Sequence, residues 1–184
     1  YFGANLIKVP DGGWVPLVVA FGIYILMTTW KRGRTAVRKH LAEGSLPLDY
    51  FLARLDDYAS HRVQGTAVFM TSAMGVTPPI LLHHFKHNKV LHEKVILFTI
   101  VTEGVPEVSK RDRIQMREFE HGFSEVIAHY GFMQTPNVPL ALRRAAEQGL
   151  EFDPNTVSYF LGRETILTTG KSGMARWRKS LFVY

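Results

Sequence analysis

The densest run of chemically able side chains is His83, His84, Lys86, His87, Asn88, Lys89 and His92. On a helix, His83 and His87 stand at i and i+4 on one face, a spacing that can hold a metal ion. The chain has no cysteine to complete such a set, and no carboxylate in the run precedes Glu93. Other chemistries compete for the same residues. Lys and His complement the carbonyl end of a helix dipole. Imidazole and ammonium groups also donate to anions, which makes His83, His84, His87, Lys89 and His92 candidate contacts for a nucleotide or another anion. Histidine titrates near neutral pH and could sense it. The helix-end reading explains the run without any ligand, so no metal ligand is assigned.

Other motifs fall short. Gly170-Lys171-Ser172 looks like the end of a phosphate loop, but Thr165 stands where that motif needs its first glycine. His92-Glu93 lacks the second histidine of a zinc-protease helix. The absence of cysteine excludes a thiol nucleophile, a disulfide scaffold and a structural zinc cluster. No nucleophile and base pair up, so no catalytic residue, cofactor or enzymatic activity is expected.

The elements that carry these residues are unevenly composed. The chain has 184 residues, 46% hydrophobic, with 22 Lys plus Arg against 16 Asp plus Glu and a formal charge of +6. Gly12 to Trp30 (GGWVPLVVAFGIYILMTTW) is 19 residues without a charge. As a helix it would be about 28 Å long, close to the roughly 30 Å of a bilayer's hydrocarbon core. Trp14 and Trp30 bracket it where an aromatic belt sits. Pro16 is tolerated near a helix start, and Gly22, Thr28 and Thr29 suit close packing against other membrane helices. Lys31, Arg32, Arg34, Arg38 and Lys39 follow at once, which places everything after Trp30 in the cytoplasm by the positive-inside rule. These five, with Trp14 and Trp30, are the expected membrane-interface residues, the basic ones lying against anionic head groups. Nucleic acid is not expected as a partner.

The expected order is an external turn over 1–11 ending a preceding span, a transmembrane helix over 12–30, a basic connector over 31–44 and a cytoplasmic domain over 45–184. The start at Tyr1, without Met, suggests a piece of a longer multi-pass protein of the cell membrane. In the last region, Ser45 and Pro47 predict a helix start, followed by an apolar face of Leu48, Phe51, Leu52 and Leu55. Strands are expected over 66–72, 94–102, 113–120, 123–132 and 157–168, the last bent at Gly162. Gly75 to Pro79 is read as a loop before a helix over 80–87, which makes a strand–helix–strand crossover. His121-Gly122 suggests a hairpin. Asn137 to Gly149 reads as a capped helix. A last helix from Gly173 has Met174, Trp177 and Leu181 on one face. The fold class is α+β: one transmembrane helix, then a mixed sheet of about five strands flanked by helices.

Several long blocks resemble the KUP family of potassium uptake permeases. They are GANLIKVPDGGWVPL, LMTTWKRGR, GTAVFMTS, the PP-x-LLHHFKHNKVLHEKVILFT run, EHGFSEVIAHYGFMQTPNVPLAL, SYFLGRET and GMARWRKSLF, covering nearly the whole chain. The resemblance implies a secondary active transporter with inverted repeats, taking up potassium together with protons, of which this chain is the last span and the cytoplasmic domain. Its ion site is then expected upstream of Tyr1, and no potassium ligand is carried over to any residue here. The implied partners are the upstream spans, the lipid bilayer, potassium and protons, with a homodimer among the expected assemblies. The cytoplasmic domain is expected to stabilise or regulate the transporter. The alternative is a ligand-sensing domain that binds a cyclic dinucleotide or another anionic nucleotide.

Overall fold

The computed structural model describes residues 13–43, 46–55, 61–162 and 175–183. It divides into two compact units. One contains helix α1 (Trp14–Glu43) and helix α5 (Arg176–Val183). The other contains every element between them. The last helix, expected within the domain over 45–184, thus groups with the apolar helix.

Helix α1 is 30 residues long and does not stop at Trp30. The stretch Lys31 to Gly44, expected as a connector, is helical as far as Glu43. Lys, Arg and Ala are good helix formers, and no proline interrupts them. Trp14–Val37 is long and apolar enough to cross a membrane, with a mean hydropathy of 1.4 over its best window. Trp14, Leu17, Phe21, Tyr24, Met27 and Trp30 are exposed on several faces of it. A water-soluble core helix would bury such side chains.

The second unit begins with strand β1 (Leu46–Pro47) and the short helix α2 (Leu48–Leu52). Pro47 is the residue before the helix rather than a member of its first turn, and Ser45 lies outside the described residues. Leu48, Phe51, Leu52 and Leu55 form the expected buried face. Next come β2 (Arg62–Thr71), β3 (Val76–Thr77), helix α3 (Pro79–Asn88) and β4 (Leu91–Glu103). Strand β3 falls inside the expected loop and pairs antiparallel with β1, Leu46 opposite Thr77. The rest are β5 (Ile114–Glu118), β6 (Phe123–Gly131), helix α4 (Val138–Glu147) and β7 (Val157–Phe160).

The main sheet runs β5-β6-β4-β2-β7, mixed and five-stranded as expected. Strands β6, β4, β2 and β7 are parallel, and β5 returns antiparallel on β6. Strand β4 is central, with neighbours on both edges and apolar cover on both faces, which is why its middle is continuously apolar. On one face Ala67, Phe69, Val95 and Leu97 pack with α2 and Leu81 of α3. On the other, Val68, Ile96, Phe98 and Val126 pack with Ala141, Leu142 and Ala145 of α4.

Local signals explain the joints. The β5–β6 connection turns at His121 and Gly122, both with positive φ (59° and 73°). A β-carbon at Gly122 would strike the Glu93 carbonyl, so glycine is required there on two counts. Asn137 caps α4 by accepting the Leu140 N–H at 2.9 Å, and Gly149 follows the helix end at φ 110°. Strand β7 ends at Phe160, and residues 163–168 of the longer strand expected there lie outside the described set.

Candidate functional site

Two groups of residues were singled out, and the structure treats them differently. Along α1, Trp14 and Trp30 are exposed at the two ends of the uncharged run. Lys31, Arg32, Arg34 and Lys39 follow on the same helix with exposed side chains, and Arg38 lies on it with its side chain outside the described residues. At about 100° per residue these five positions fall within roughly 160° of arc, on the side of α1 opposite Thr29 and Gly33. The Thr28 hydroxyl donates to the Tyr24 carbonyl at 2.8 Å and also reaches that of Ile25 at 3.1 Å. Thr29 is 1% exposed. Four residues on, the ring of Phe182 occupies the space that a β-carbon at Gly33 would need. Phe182 also meets the Trp30 ring, centroids 5.3 Å apart and planes tilted by 56°. The Thr29-x-x-x-Gly33 spacing of small residues is the sequence signal for this contact, and it marks close helix approach in membranes. Gly22, by contrast, has open space where its side chain would be.

The histidine run does not form one site. Helix α3 ends at Lys89, which takes the left-handed conformation (φ 54°) and closes the last turn with its N–H on the Phe85 carbonyl. His83 and His87 stack on the exposed side, centroids 6.0 Å apart and planes 7° from parallel. His84 turns inward instead. Its ring lies 4.8 Å from Phe160, 5.8 Å from Phe69 and 6.2 Å from His92 on β4. Phe69 and Phe160 stack at 4.6 Å behind it. The inward turn was legible: His84 stands three residues after buried Leu81, so it shares the core face. Phe160, which completes the cluster, gave no sequence signal.

Burial sets the state of the inward pair. Desolvation holds the pKa of His84 below its ordinary value, partly offset by the Val90 backbone. Desolvation also lowers that of His92, with His84 as a second cause. The Asn88 amide nitrogen lies 3.0 Å from His84 Nδ1. As a donor there it would leave the His84 proton on Nε2. That Nε2 and the Nδ1 of His92 meet no side-chain or backbone acceptor at hydrogen-bond geometry among the described residues. Among the described residues, no three His, Asp or Glu side chains are grouped to hold a metal.

Three polar features lie outside the expected residues. A cleft of about 370 Å³ is lined by Gln64, Gly65, Thr66, Glu93, Lys94, Asp153 and Thr156. Its lining mixes charge signs, and Lys94 pairs with Glu151 at 3.2 Å, so no single ligand class is indicated. His129 Nδ1 meets Glu103 Oε1 at 2.6 Å across the ends of β6 and β4. Glu125, 1% exposed on β6, accepts the Gly75 N–H at 2.8 Å.

A family model described as the K+ potassium transporter C-terminal domain matches residues 64–184. One described as the K+ potassium transporter integral membrane domain matches residues 1–35. The whole chain is 49% identical to a "Probable potassium transport system protein Kup" of Myxococcus xanthus, covering 28% of it. It is 47% identical over its whole length to a Kup 1 protein of Geobacter sulfurreducens, covering 29% of that protein. It is 48% identical to a Kup 2 protein of Chromobacterium violaceum, covering 30%. The chain thus spans less than a third of the length of the curated relatives it matches. No solved structure matches it.

Proposed function

The chain belongs to the K+ potassium transporter family, and from that premise we propose that it is the last span and cytoplasmic domain of a potassium uptake transporter. The observation that carries the reading is a helix with uncharged, exposed apolar side chains joined to the family's C-terminal domain. Transport is secondary active, with protons as the coupled ion. The ion site lies in upstream spans. No residue of this chain is assigned as a potassium ligand. The protein is multi-pass in the cell membrane, with the basic residues after Trp30 on the cytoplasmic side. We assign it no catalytic role. The sheet domain stabilises or regulates the transporter, alone or as a homodimer. The test is deletion of everything after Lys39 from the full-length transporter. Uptake is expected to fall severely while the protein still inserts, and unchanged uptake kinetics would overturn the role.

A second reading is kept because His83, Lys86, His87 and Lys89 all present exposed donors. This surface could meet an anionic nucleotide such as a cyclic dinucleotide. It excludes His84 and His92, whose rings face Phe160. Calorimetry with cyclic di-AMP, cyclic di-GMP and ATP decides it: no saturable heat at sub-millimolar ligand removes the reading.

A further inference from the structure

Helix α5 (RWRKSLFV) is short, basic and free of acidic residues. Trp177 and Leu181 stand at i and i+4 on one face, 54% and 42% exposed. Among the described residues nothing covers these exposed parts, although a tryptophan beside a leucine is costly to leave in water. The helix is not free to lie anywhere. Phe182 fills the notch at Gly33 and touches Trp30, which fastens α5 to α1. Gly33 is three residues past the end of the uncharged run, roughly 4.5 Å along the helix axis. The fastening point is therefore level with the head groups of any bilayer that α1 crosses.

We propose that α5 is an interfacial helix, with Trp177 and Leu181 entering the head-group boundary of an anionic bilayer while Arg176 and Arg178 meet its phosphates. The proposal rests on the reading that α1 spans a membrane. Three observations beyond position support a lipid occupant. The exposed face pairs an amphipathic tryptophan with an aliphatic side chain, the residue types that settle at this depth. The remaining charges are all positive and complement anionic lipid. The Arg178 guanidinium lies 5.0 Å over the Trp177 ring, which holds a positive charge beside the indole, the pairing that suits the head-group boundary. Eight residues would not hold a helix on a bilayer alone. The Phe182–Gly33 anchor supplies the second attachment that stable membrane association needs.

The cysteine-free sequence makes the test direct. Leu181→Cys carries an environment-sensitive nitrobenzoxadiazole label, and Leu26→Cys carries the same label as the control. Each labelled chain is reconstituted into phosphatidylcholine vesicles with and without phosphatidylglycerol, then quenched by shallow doxyl-labelled lipid. The expected result is blue-shifted Leu181-site emission quenched by the lipid in anionic vesicles. Paired with Arg176→Gln or Arg178→Gln, the docked fraction relative to the undocked should fall roughly fivefold per charge removed. Quenching at the Leu26 site but not at the Leu181 site overturns the proposal. So does Leu181-site quenching indifferent to phosphatidylglycerol, or a blue shift with no lipid quenching, which would assign the face to protein. Absence of quenching at the Leu26 site instead overturns the span itself.

Discussion

Glu125 and Gly75, fifty residues apart in sequence, are joined by a 2.8 Å hydrogen bond from the glycine N–H to the carboxylate. Glu125 stands level with Leu97 of β4, which in turn stands level with Phe69 of β2. Gly75 belongs to the loop that leaves β2 and must fold back over the sheet to reach it. The Gly75 carbonyl then accepts the Leu48 N–H at 3.1 Å, so one residue ties α2 and its loop to β6. Among the described residues the second carboxylate oxygen has no hydrogen-bond partner, nor have the buried hydroxyls of Thr77 and Thr99.

Removal of this carboxylate should loosen the cover over that face. Glu125→Ala leaves the Gly75 N–H unsatisfied and opens a void, and we expect a loss of about 2–4 kcal/mol. Glu125→Gln keeps an acceptor for Gly75 and should cost about 1 kcal/mol or less. Thermal unfolding of the detergent-solubilised chain measures both. Hydrogen exchange at Gly75 should quicken in the alanine variant and stay near wild type in the glutamine variant. Equal effects would show that shape, not the hydrogen bond, holds the loop.

His84 and His92 predict a stability that falls on acidification. Both have a folded-state pKa below the unfolded value. The unfolded chain therefore takes up protons first as the pH drops, and stability declines from about pH 6.5 downward. Above that value both states are neutral, and this contribution is flat. His84→Phe keeps the aromatic contacts with Phe160 and Phe69 and should flatten the slope between neutral pH and about pH 5. Unfolding midpoints across that range are the measurement. An unchanged slope would place the acid response outside this pair.

How much was legible follows from range. The central strand was readable because Val95 to Thr99 lies buried in the middle of the sheet, which leaves an unbroken apolar run. The α4 cap and the β5–β6 turn were readable because Asn137, His121 and Gly122 act within a few residues of themselves. Strand β3 was not, since two residues carry no periodicity and Leu46, the partner of Thr77, lies 31 positions away. The continuation of α1 past Trp30 was obscured because charge ends an apolar run without ending a helix. Phe160, Phe182 and Glu125 were invisible because each acts on residues far away in the chain, and no local pattern records that. The histidines were visible as a cluster, but their division into an exposed stack and an inward pair is set by which face Leu81 buries.

Orientation can be checked by cysteine labelling in a full-length transporter whose own cysteines have been replaced. Met74 is 53% exposed in the sheet unit. Met74→Cys in the full-length transporter should react with a membrane-impermeant maleimide only after the cells are permeabilised. Labelling in intact cells would reverse the orientation assigned from Lys31, Arg32 and Arg34.

The Gly33–Phe182 contact sets two opposed effects against each other, which makes it testable by sign. Alanine at position 33 should favour helix α1 by about 1 kcal/mol over glycine. The same methyl group would occupy the place of the Phe182 ring, so α5 must swing away and lose its contact with Trp30. An aromatic pair contributes about 0.5–1.5 kcal/mol beyond the area it buries, so undocking should offset the gain in helix stability. Gly33→Ala is therefore expected to raise the undocked fraction of α5. Arg176, Arg178 and Lys179 make that fraction visible as trypsin release of the last residues, followed by mass spectrometry. A coupling of about 1–2 kcal/mol corresponds to release roughly 5- to 30-fold faster. In a Phe182→Ala background the ring is gone, and Gly33→Ala should then change the rate little. That non-additivity is the signature of a direct contact. If Gly33→Ala accelerates release equally with and without Phe182, the glycine acts through the backbone of α1 and not through the notch.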